Sequence, residues 1–453
     1  MYQSKNPFTA KIEREYNNIT DLELNNKINL SHTIFEDWKQ KSFKYRAELF
    51  NKIAYLLEER KQQYGELITI EMGKPIGQSI AEIEKSALVC RFYAKNAESF
   101  LKRDKIESSA KNSYVYYEPL GSIFAIMPWN FPFWQVFRFI APTIMAGNTG
   151  MLKHASNVPQ CAEAIESVLL DAGLPKGVFQ NLYITHKQVE NVISSKYVKA
   201  VTLTGSNIAG SKVAELSGKY TKKTVLELGG SDPFIVFPDT QLDKTLNGAI
   251  LSRFLNVGQS CIAAKRFIIH KNIADEFINK FKQLVEELKS GNPLDNNTFI
   301  GPLVNEYAIT ELDKQVRESI NMGAKCIIGG KIASNNKNIY EPTLILNPPK
   351  DSPIWKDEVF GPVAAIVIFE TEEDAVKLAN DTIFGLGASV WTENDNIAES
   401  ICTKINAGTI AVNGIVKSEP SLPFGGINES GYGRELGSFG IKEFVNIKTV
   451  SFF

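Results

Sequence analysis

A cysteine and a glutamate lie in two short segments of the chain that also contain glycines. Cys261 belongs to residues 256–265 (NVGQSCIAAK), and Glu227 precedes a glycine pair in residues 226–230 (LELGG). The thiolate is the form of cysteine that attacks, so a thiol working near neutral pH needs a proton acceptor or a lowered pKa. Glu227 could be that acceptor. Alone the pair is weak evidence, because a cysteine and a glutamate in one chain are more often structural than catalytic.

Two further segments follow predicted strands, where a ligand could bind. Residues 204–210 (TGSNIAG) open a predicted helix, so their glycines and the free N–H groups of the helix could bind a phosphate. They lack the third glycine of the usual dinucleotide motif, and a plain turn fits them equally well. Residues 128–132 (PWNFP) form a rigid loop whose Asn130 amide could donate to an oxyanion. A structural turn with a packed tryptophan is the simpler interpretation of this loop.

Length and composition indicate an ordinary globular protein. The 453 residues predict two or three domains, and 43% hydrophobic with 22% charged residues is a typical soluble composition. Lys plus Arg number 50 and Asp plus Glu 51, so the chain lacks the basic excess of nucleic-acid or membrane-surface binders. No apolar stretch is long enough to span a membrane, and the first thirty residues do not form a secretory signal. We therefore expect neither nucleic acid nor membrane as a partner.

The cysteines and histidines indicate where the protein works and what it does not bind. Five scattered cysteines, an odd number, suit a reducing cytoplasm rather than a disulfide framework. The four histidines show no metal-ligand spacing. We predict a cytoplasmic protein without a metal site.

The apolar pattern predicts helices over residues 47–70 and 80–101, and then strands that alternate with short helices. Residues 114–117 form an alternating or edge strand, and the first series then has strands at 122–127, 149–153, 178–183 and 200–204, with helices at 160–170, 188–194 and 208–216. A second series of strands includes residues 234, 267–269, 326–328 and 363–369. Such alternation implies parallel βαβ units and sheets covered on both faces. We predict an α/β protein with two tightly packed domains that meet near residues 229–231.

Taken together, seven segments give the chain a family resemblance. They match, in order and approximate spacing, the motifs of the aldehyde dehydrogenase superfamily, which the chain resembles from about residue 46 to its end. These segments are 128–132, 152–153, 205–210, 227–230, 258–261, 358–362 and 423–426. Residues 128–160 look most like the shorter bacterial NAD(P)-dependent succinate-semialdehyde dehydrogenases.

The resemblance implies a fold of two α/β domains with parallel sheets and a small oligomerisation extension. Residues 1–100 and 120–229 would form a Rossmann-like cofactor-binding domain, and residues 230–428 the catalytic domain. Residues 101–119 and 429–453 would be oligomerisation segments of a homodimer or homotetramer. The apolar Phe452 and Phe453 suit an interface better than solvent.

The resemblance also implies a covalent route from aldehyde to acid. Cys261 matches the nucleophile that forms a thiohemiacetal and then a thioester, while Asn130 and the backbone N–H of Cys261 match the donors to the oxyanion. Removing one such donor typically costs about 3 kcal/mol of transition-state stabilisation. Glu227 matches the base that activates the hydrolytic water. Relatives that transfer the acyl group to coenzyme A generally lack this glutamate, so its presence favours hydrolysis.

Seven residues match those that contact the cofactor, NAD or NADP, in the family. Lys153 and Glu358 match the residues that hold the two riboses, while Gly205 and Ser206 lie near the pyrophosphate. Trp129 would line the cleft and Phe360 would pack near the nicotinamide. NAD-selective members often carry a glutamate three residues after the lysine, where this chain has Ser156. A serine does not repel a 2′-phosphate, so NADP should be tolerated and could be preferred.

The resemblance also suggests which residues bind the substrate. Arg138 and Ser418 match residues that bind the far carboxylate of succinate semialdehyde, although Arg138 could equally be a structural ion-pair partner. A second arginine of some members falls at Leu255, so the carboxylate site is incomplete. A broad aliphatic or aromatic aldehyde dehydrogenase is the alternative, with an apolar tunnel lined by Phe131, Phe133 and Trp134. An esterase or thioesterase using the same cysteine, and a scaffold that only binds, are alternatives of other classes.

Overall fold

The structure is a computed structural model that describes residues 1–453. The chain begins with a β-hairpin, continues through four helices and then forms two more strands. Their bounds are β1 (Tyr2–Lys5), β2 (Ile12–Tyr16), α1 (Asp21–Trp38), α2 (Phe43–Glu59), α3 (Lys61–Met72), α4 (Ile76–Phe100), β3 (Asp104–Ile106) and β4 (Asn112–Pro119). A single helix was predicted over residues 47–70, and this prediction is wrong in one respect. The structure has two helices there, α2 and α3, separated at Arg60.

Strands and short helices then alternate, as the apolar pattern predicts. The elements are β5 (Ser122–Met127), α5 (Trp134–Met145), β6 (Thr149–His154), α6 (Pro159–Asp171), β7 (Phe179–Asn181), α7 (Gln188–Ser194), β8 (Val198–Thr204), α8 (Asn207–Lys219) and β9 (Lys223–Glu227). Every strand and helix predicted between residues 122 and 216 is present. Strand and helix ends differ from prediction by a few residues at most.

The second half of the chain also combines strands with helices. Its elements are β10 (Asp232–Val236), α9 (Leu242–Phe254), β11 (Ala264–His270), α10 (Lys271–Glu286), α11 (Glu306–Asn321), β12 (Lys325–Ile328), β13 (Thr343–Leu346), α12 (Pro353–Lys356), β14 (Val363–Phe369), α13 (Glu372–Ala379), β15 (Gly387–Trp391), α14 (Asp395–Cys402), β16 (Thr409–Val412), β17 (Gly431–Tyr432), α15 (Gly437–Gly440) and β18 (Val445–Phe452). A 3-10 turn, Leu255–Gly258, follows α9.

Two mostly parallel sheets organise these elements. The first has the strand order β17-β9-β8-β5-β6-β7, and the second has β12-β13-β14-β11-β10-β15-β16. In each sheet one edge strand, β17 or β12, pairs antiparallel with its neighbour, while the other pairings are parallel. The predicted α/β class with parallel sheets is confirmed.

The end of the chain returns to the first sheet before it leaves for a third. Strand β17 pairs with β9, and Leu436, Ile441 and Phe444 join the apolar core that helices α2 to α6 form against the first sheet. Strand β18 then pairs with β4 in the antiparallel sheet β18-β4-β3. Within the predicted segment 429–453, residues 431–445 therefore pack on the first sheet.

The sheet topology brings several predicted site residues to one edge. Strands β5, β8 and β9 are neighbours, and the loop 128–132, Gly205 and the glycine pair 229–230 follow their carboxyl ends. Open α/β sheets bind ligands at this edge. Cys261 lies just before β11 of the second sheet, facing the same cleft. None of the helices has the length and apolar character that a membrane crossing needs.

Candidate active site

The turn that presents Cys261 has an unusual backbone. Asn256, Val257 and Gly258 are consecutive residues with φ of 53°, 57° and 71°. This left-handed region suits glycine but is unfavourable for a β-branched valine, at a cost of roughly 1–3 kcal/mol. Such strain persists only where surrounding contacts fix it, and it commonly marks functional sites.

Two buried cations fix this turn by donating to its carbonyl groups. Arg253 donates from Nη2 to the carbonyl of Gly258 at 2.9 Å. The Nζ of Lys265 donates to the carbonyls of Ser260 and Cys261 at 3.0 and 2.9 Å. Neither cation was among the residues that the sequence suggested, since a buried lysine or arginine has no pattern that separates it from an exposed one.

Asn130 lies directly against the cysteine turn. Its side-chain amide donates to the carbonyl of Gln259 at 3.0 Å, and its own carbonyl accepts from the amide of Asn256 at 2.8 Å. The side chain is buried, with 4% exposed. An amide nitrogen carries two protons, so one stays available for an oxyanion formed on Cys261.

The loop that carries Asn130 is held from two further sides. A carboxylate oxygen of Glu82 accepts from the backbone N–H groups of Phe133 and Trp134 at 2.8 and 3.0 Å, and so caps helix α5. The ring of His154 contacts the carbonyl of Pro132 through Nε2 at 3.0 Å. Burial lowers the pKa of His154 to about 4, so the ring is neutral and donates from Nε2. These contacts hold the loop, and with it Asn130, in one position.

Most of the predicted cofactor residues line one cavity, of about 250 Å³, beside the thiol. Its lining includes Trp129, Asn130, Gly205, Ser206, Cys261, Glu358 and Phe360. The rings of Trp129 and Phe360 meet edge to face, with centroids 5.8 Å apart. The cleft between the two sheets therefore combines apolar walls with polar groups at its ends.

The turn after β8 fits a pyrophosphate. Ser206 is the N-cap of α8 and also lines the cleft, and its side chain accepts from the N–H of Ala209. An added Cβ at Gly210 would lie 2.5 Å from Leu228, so only glycine lets α8 pack this closely on the end of β9. Close packing of helix on strand is the role of a glycine in dinucleotide-binding turns.

The glycine pair after Glu227 makes room for Glu358 and for the cysteine turn. A Cβ at Gly229 would lie 2.8 Å from a Glu358 carboxylate oxygen, and one at Gly230 would lie 2.6 Å from the Cys261 carbonyl. Glu358 accepts from the N–H of Gly230 at 3.1 Å and lies 3.7 Å from Nζ of Lys265. Burial raises its pKa, and the lysine opposes that rise.

Lys153 and Ser156 lie away from the thiol, at the far end of the predicted cofactor site. Lys153 is buried in β6 without an acidic partner, and burial lowers its pKa. Ser156 is exposed and lines a separate cavity beside the N-terminal hairpin, where its carbonyl accepts from the N–H of Gln3 at 3.0 Å. Ser156 itself carries no charge, and Glu306, which lines the same cavity, is paired with Lys337.

A second cavity, of about 230 Å³, also has Cys261 in its lining. Arg138, Ser418, Phe131, Trp134 and Leu255 line it, together with Lys85. Cys261 thus stands between two cavities, as a nucleophile must if cofactor and substrate approach it separately. Phe133 does not line this tunnel, contrary to prediction: the residue is fully buried, and its ring lies 5.4 Å from that of Tyr64 in the core.

Arg138 fits both interpretations that the sequence left open. It lines the second cavity, and it also forms an ion pair with Glu435, which is buried. Its Nη2 further approaches the hydroxyl of Thr204 at 3.4 Å. Removing the arginine would leave Glu435 buried without its counter-ion, a change that usually destabilises strongly. Glu435 was not identified from the sequence.

The structure does not place the carboxyl group of Glu227 beside the thiol. Glu227 is buried with 2% exposed, it lines neither cavity, and its two carboxylate oxygens have no hydrogen-bond partner. Burial, followed by the nearby Glu435, raises its pKa well above the usual carboxyl value, although Arg138 opposes this. The surroundings of Glu227 therefore favour the protonated carboxyl more than water does.

The thiol of Cys261 is protonated in the free protein. Burial raises its pKa to about 12, Glu358 adds to the rise, and Lys265 and Arg138 oppose it. The thiol therefore requires a proton acceptor before it can attack.

The amide of Asn130 gives a first testable prediction. An Asn130→Ala variant should lower kcat about 100-fold, because one of two donors to the oxyanion is lost. Affinity for the cofactor should change little. Steady-state kinetics and cofactor titration measure the two effects. A fall in activity below about threefold would show that Asn130 only supports the turn.

The sequence profile of the aldehyde dehydrogenase family matches residues 1–450, and the chain belongs to this family. It is 46% identical over 445 residues to the probable NADP(+) succinate-semialdehyde dehydrogenase of Synechocystis sp., with 98% of each chain covered. It is 45% identical over 448 residues to succinate-semialdehyde dehydrogenase NADP(+) 1 of Mycobacterium tuberculosis, again with 98% of each chain covered. A crystal structure of succinic semialdehyde dehydrogenase from Streptococcus pyogenes, in complex with NADP+, matches with a TM-score of 0.97 at 35% identity and covers 99% of both chains.

These comparisons confirm the resemblance inferred from the seven motifs. The chain is an aldehyde dehydrogenase, an oxidoreductase, with the fold of that family. The roles of individual site residues and of the domains stay predictions.

Proposed function

We propose that this enzyme oxidises succinate semialdehyde to succinate, with NADP as its preferred cofactor. The observation that supports this most is the position of Cys261 between a cleft with the features of a nucleotide site and a cavity lined by Arg138 and Ser418. The names of the Synechocystis and Mycobacterium relatives point to the same reaction and cofactor.

The residues present support a covalent mechanism. The thiol of Cys261 gives its proton to solvent water, and Sγ attacks the aldehyde carbon. The new oxyanion accepts from the amide of Asn130 and from the N–H of Cys261. A nicotinamide bound in the cleft supplies the acceptor for the hydride of this carbon. Water then releases the acid from the thioester on Cys261, after Glu227 has taken a proton from it. Because neither oxygen of Glu227 is hydrogen-bonded, no hydrogen bond must break when the side chain turns toward Cys261.

The proposed reaction is tested by a panel of aldehydes with NAD+ and NADP+, followed by absorbance of the reduced nicotinamide. Succinate semialdehyde with NADP+ should give the highest kcat/KM. Butanal has the same number of carbons and no carboxylate, so equal efficiencies would favour a broad aldehyde dehydrogenase. Ester hydrolysis without any reduction of either cofactor would favour the esterase alternative.

Ser156 gives a prediction about the cofactor. A Ser156→Glu variant should lower kcat/KM for NADP+ about 100-fold and leave that for NAD+ within a few-fold, because a carboxylate repels the 2′-phosphate at a cost of several kcal/mol. A Ser156→Ala variant is the matched control, since it removes the hydroxyl and adds no charge. An unchanged ratio of the two efficiencies in the glutamate variant would place the phosphate elsewhere.

We further propose that the enzyme is a cytoplasmic homodimer or homotetramer. Apolar side chains remain exposed on the third sheet, including Ile106, Ile447 and Phe452. A second copy would cover them. All five cysteines are free thiols, which suits a reducing compartment. Light scattering coupled to size-exclusion chromatography measures the assembly, and Ile447→Glu should weaken it.

A further inference from the structure

Lys85 enters the second cavity from helix α4, which none of the seven motifs includes. Its Nζ lies 4.1 Å from the centroid of the Trp134 ring and donates to the hydroxyl oxygen of Ser418 at 3.0 Å. Lys85 and Ser418 also line an outer cavity that continues to the surface. The lysine therefore stands where the substrate tunnel meets its entrance.

The charge of Lys85 has no counter-ion in the protein. Arg138, a buried cation that lines the same cavity, is already paired with Glu435. Lys85 forms a hydrogen bond only with Ser418, a neutral group. Burial lowers the pKa of Lys85 to about 8, and the positive charges of Arg138 on α5 and of Lys417 also lower it. Glu82 of the same helix and Glu419 raise the pKa and so oppose this effect. Near neutral pH the lysine is still mostly charged.

Ser418 is arranged as a donor toward the cavity. Its oxygen accepts from Nζ of Lys85 and from Nε1 of Trp134, each at 3.0 Å. A hydroxyl has two acceptor positions and one proton. With both acceptor positions occupied, the remaining function of Ser418 is to donate, and no protein group accepts from it. A cation and a hydroxyl donor without acceptors, side by side in an apolar pocket, form a site for an anion.

We propose that Lys85 is the counter-ion for the far carboxylate of the substrate, with the hydroxyl of Ser418 as its partner. This assignment rests on the proposed oxidation of an aldehyde that carries a carboxylate. It identifies Lys85 as the residue that selects such a substrate. The missing second arginine, replaced by Leu255, is thus compensated from a different helix. Arg138 then serves mainly to hold Glu435, and its positive charge adds to the field rather than to direct binding.

The test compares Lys85→Met with Lys85→Arg and with Lys95→Met. Lys95 lies on the same helix, is exposed and lines neither cavity, so its variant controls for loss of a surface charge. For each protein, kcat/KM is measured for succinate semialdehyde and for butanal with NADP+. In the Lys85→Met variant we expect the ratio of the two to fall about 10- to 30-fold, mainly through KM for succinate semialdehyde. The arginine variant should keep most of the ratio, and Lys95→Met all of it.

A pH series on the unmodified enzyme tests the same inference without a variant. The ratio of the two efficiencies should fall as pH rises through about 8, where Lys85 loses its proton. Because both aldehydes use the same thiol and base, the titration of those groups cancels from the ratio.

The outcomes separate two failures. If the unmodified enzyme reduces NADP+ with neither aldehyde, or oxidises both equally well, the proposed function is wrong. If it prefers succinate semialdehyde and Lys85→Met keeps that preference, the proposed function stands and the role of Lys85 is wrong. If the Lys85→Met protein does not fold, the Lys85→Arg variant and the pH series decide. A ratio of kcat/KM for succinate semialdehyde to kcat/KM for butanal that does not change between pH 7 and 9 would overturn the inference.

Discussion

The Cys261→Ala variant should lose aldehyde oxidation by about 10⁴-fold or more, because no other group can form the covalent adduct. Its affinity for NADP+ should stay within about threefold of the unmodified enzyme, since the thiol lies at the end of the nucleotide cleft and need not hold the cofactor. The measurements are NADPH formation at saturating succinate semialdehyde and quenching of protein fluorescence by NADP+.

The matched control for this variant is Cys326→Ala, which changes a partly buried thiol on β12 outside both cavities. It should keep nearly full activity. Retention of more than a few per cent of the oxidation rate by Cys261→Ala would show that another residue is the nucleophile.

The Glu227→Gln variant should form the thioester and hydrolyse it slowly. Loss of a general base typically costs 10²–10⁴ in rate, and we expect kcat to fall about 10³-fold. Because Glu227 is buried and neither of its carboxylate oxygens has a hydrogen-bond partner, glutamine preserves its volume and breaks no hydrogen bond, and the fold should remain intact. Rapid mixing with NADP+ and aldehyde should show a burst of NADPH of about one equivalent per site.

The pH profile provides a second measurement on the same variant. The pKa of Glu227 is raised, so the basic form and the deacylation rate should grow with pH above the usual carboxyl range. The glutamine variant should lack this dependence. If the burst disappears in proportion to turnover, Glu227 acts instead in activating Cys261, or in the structure.

Strands β5, β6, β7 and β8 of the first sheet were predicted from short apolar runs between turn residues, whereas β9 and β17 were not predicted. Strand β5 and the loop 128–132 illustrate this, since the prolines mark where the strand ends. Strand β2 could not be identified, because all its residues but one are exposed and no apolar alternation exists. The break between α2 and α3 was missed for a different reason. Arg60 interrupts the helix without changing the apolar spacing on either side.

Helix α10 shows that a usable signal can also be overlooked. Ile273, Phe277 and Phe281 recur at intervals of four residues and all face the core. This spacing predicts a helix with one buried face. Only the strands of that region were predicted, because its short apolar runs favour strands.

Some residues of the site were predicted from the sequence and others were missed. Cys261, Asn130 and the residues of the cofactor cleft lie in short motifs, and the structure brings most of them together around one cavity. Lys85, Lys265 and Glu435 were missed, since each acts on partners that are remote in the chain or hidden from the surface. The position of Glu227, outside the lining of both cavities, depends on side-chain packing that no motif encodes.

The antiparallel pairing of β17 with β9 has a consequence for synthesis. The first sheet gains its last strand, and its core gains Leu436, Ile441 and Phe444, only from the final part of the chain. A ribosome-bound chain that has emerged as far as β9 therefore holds an incomplete domain with an open sheet edge and an uncovered apolar surface. The second sheet, formed from one continuous stretch, can close first. Chaperone capture during translation should accordingly concentrate on the first-made half of the protein rather than on the last.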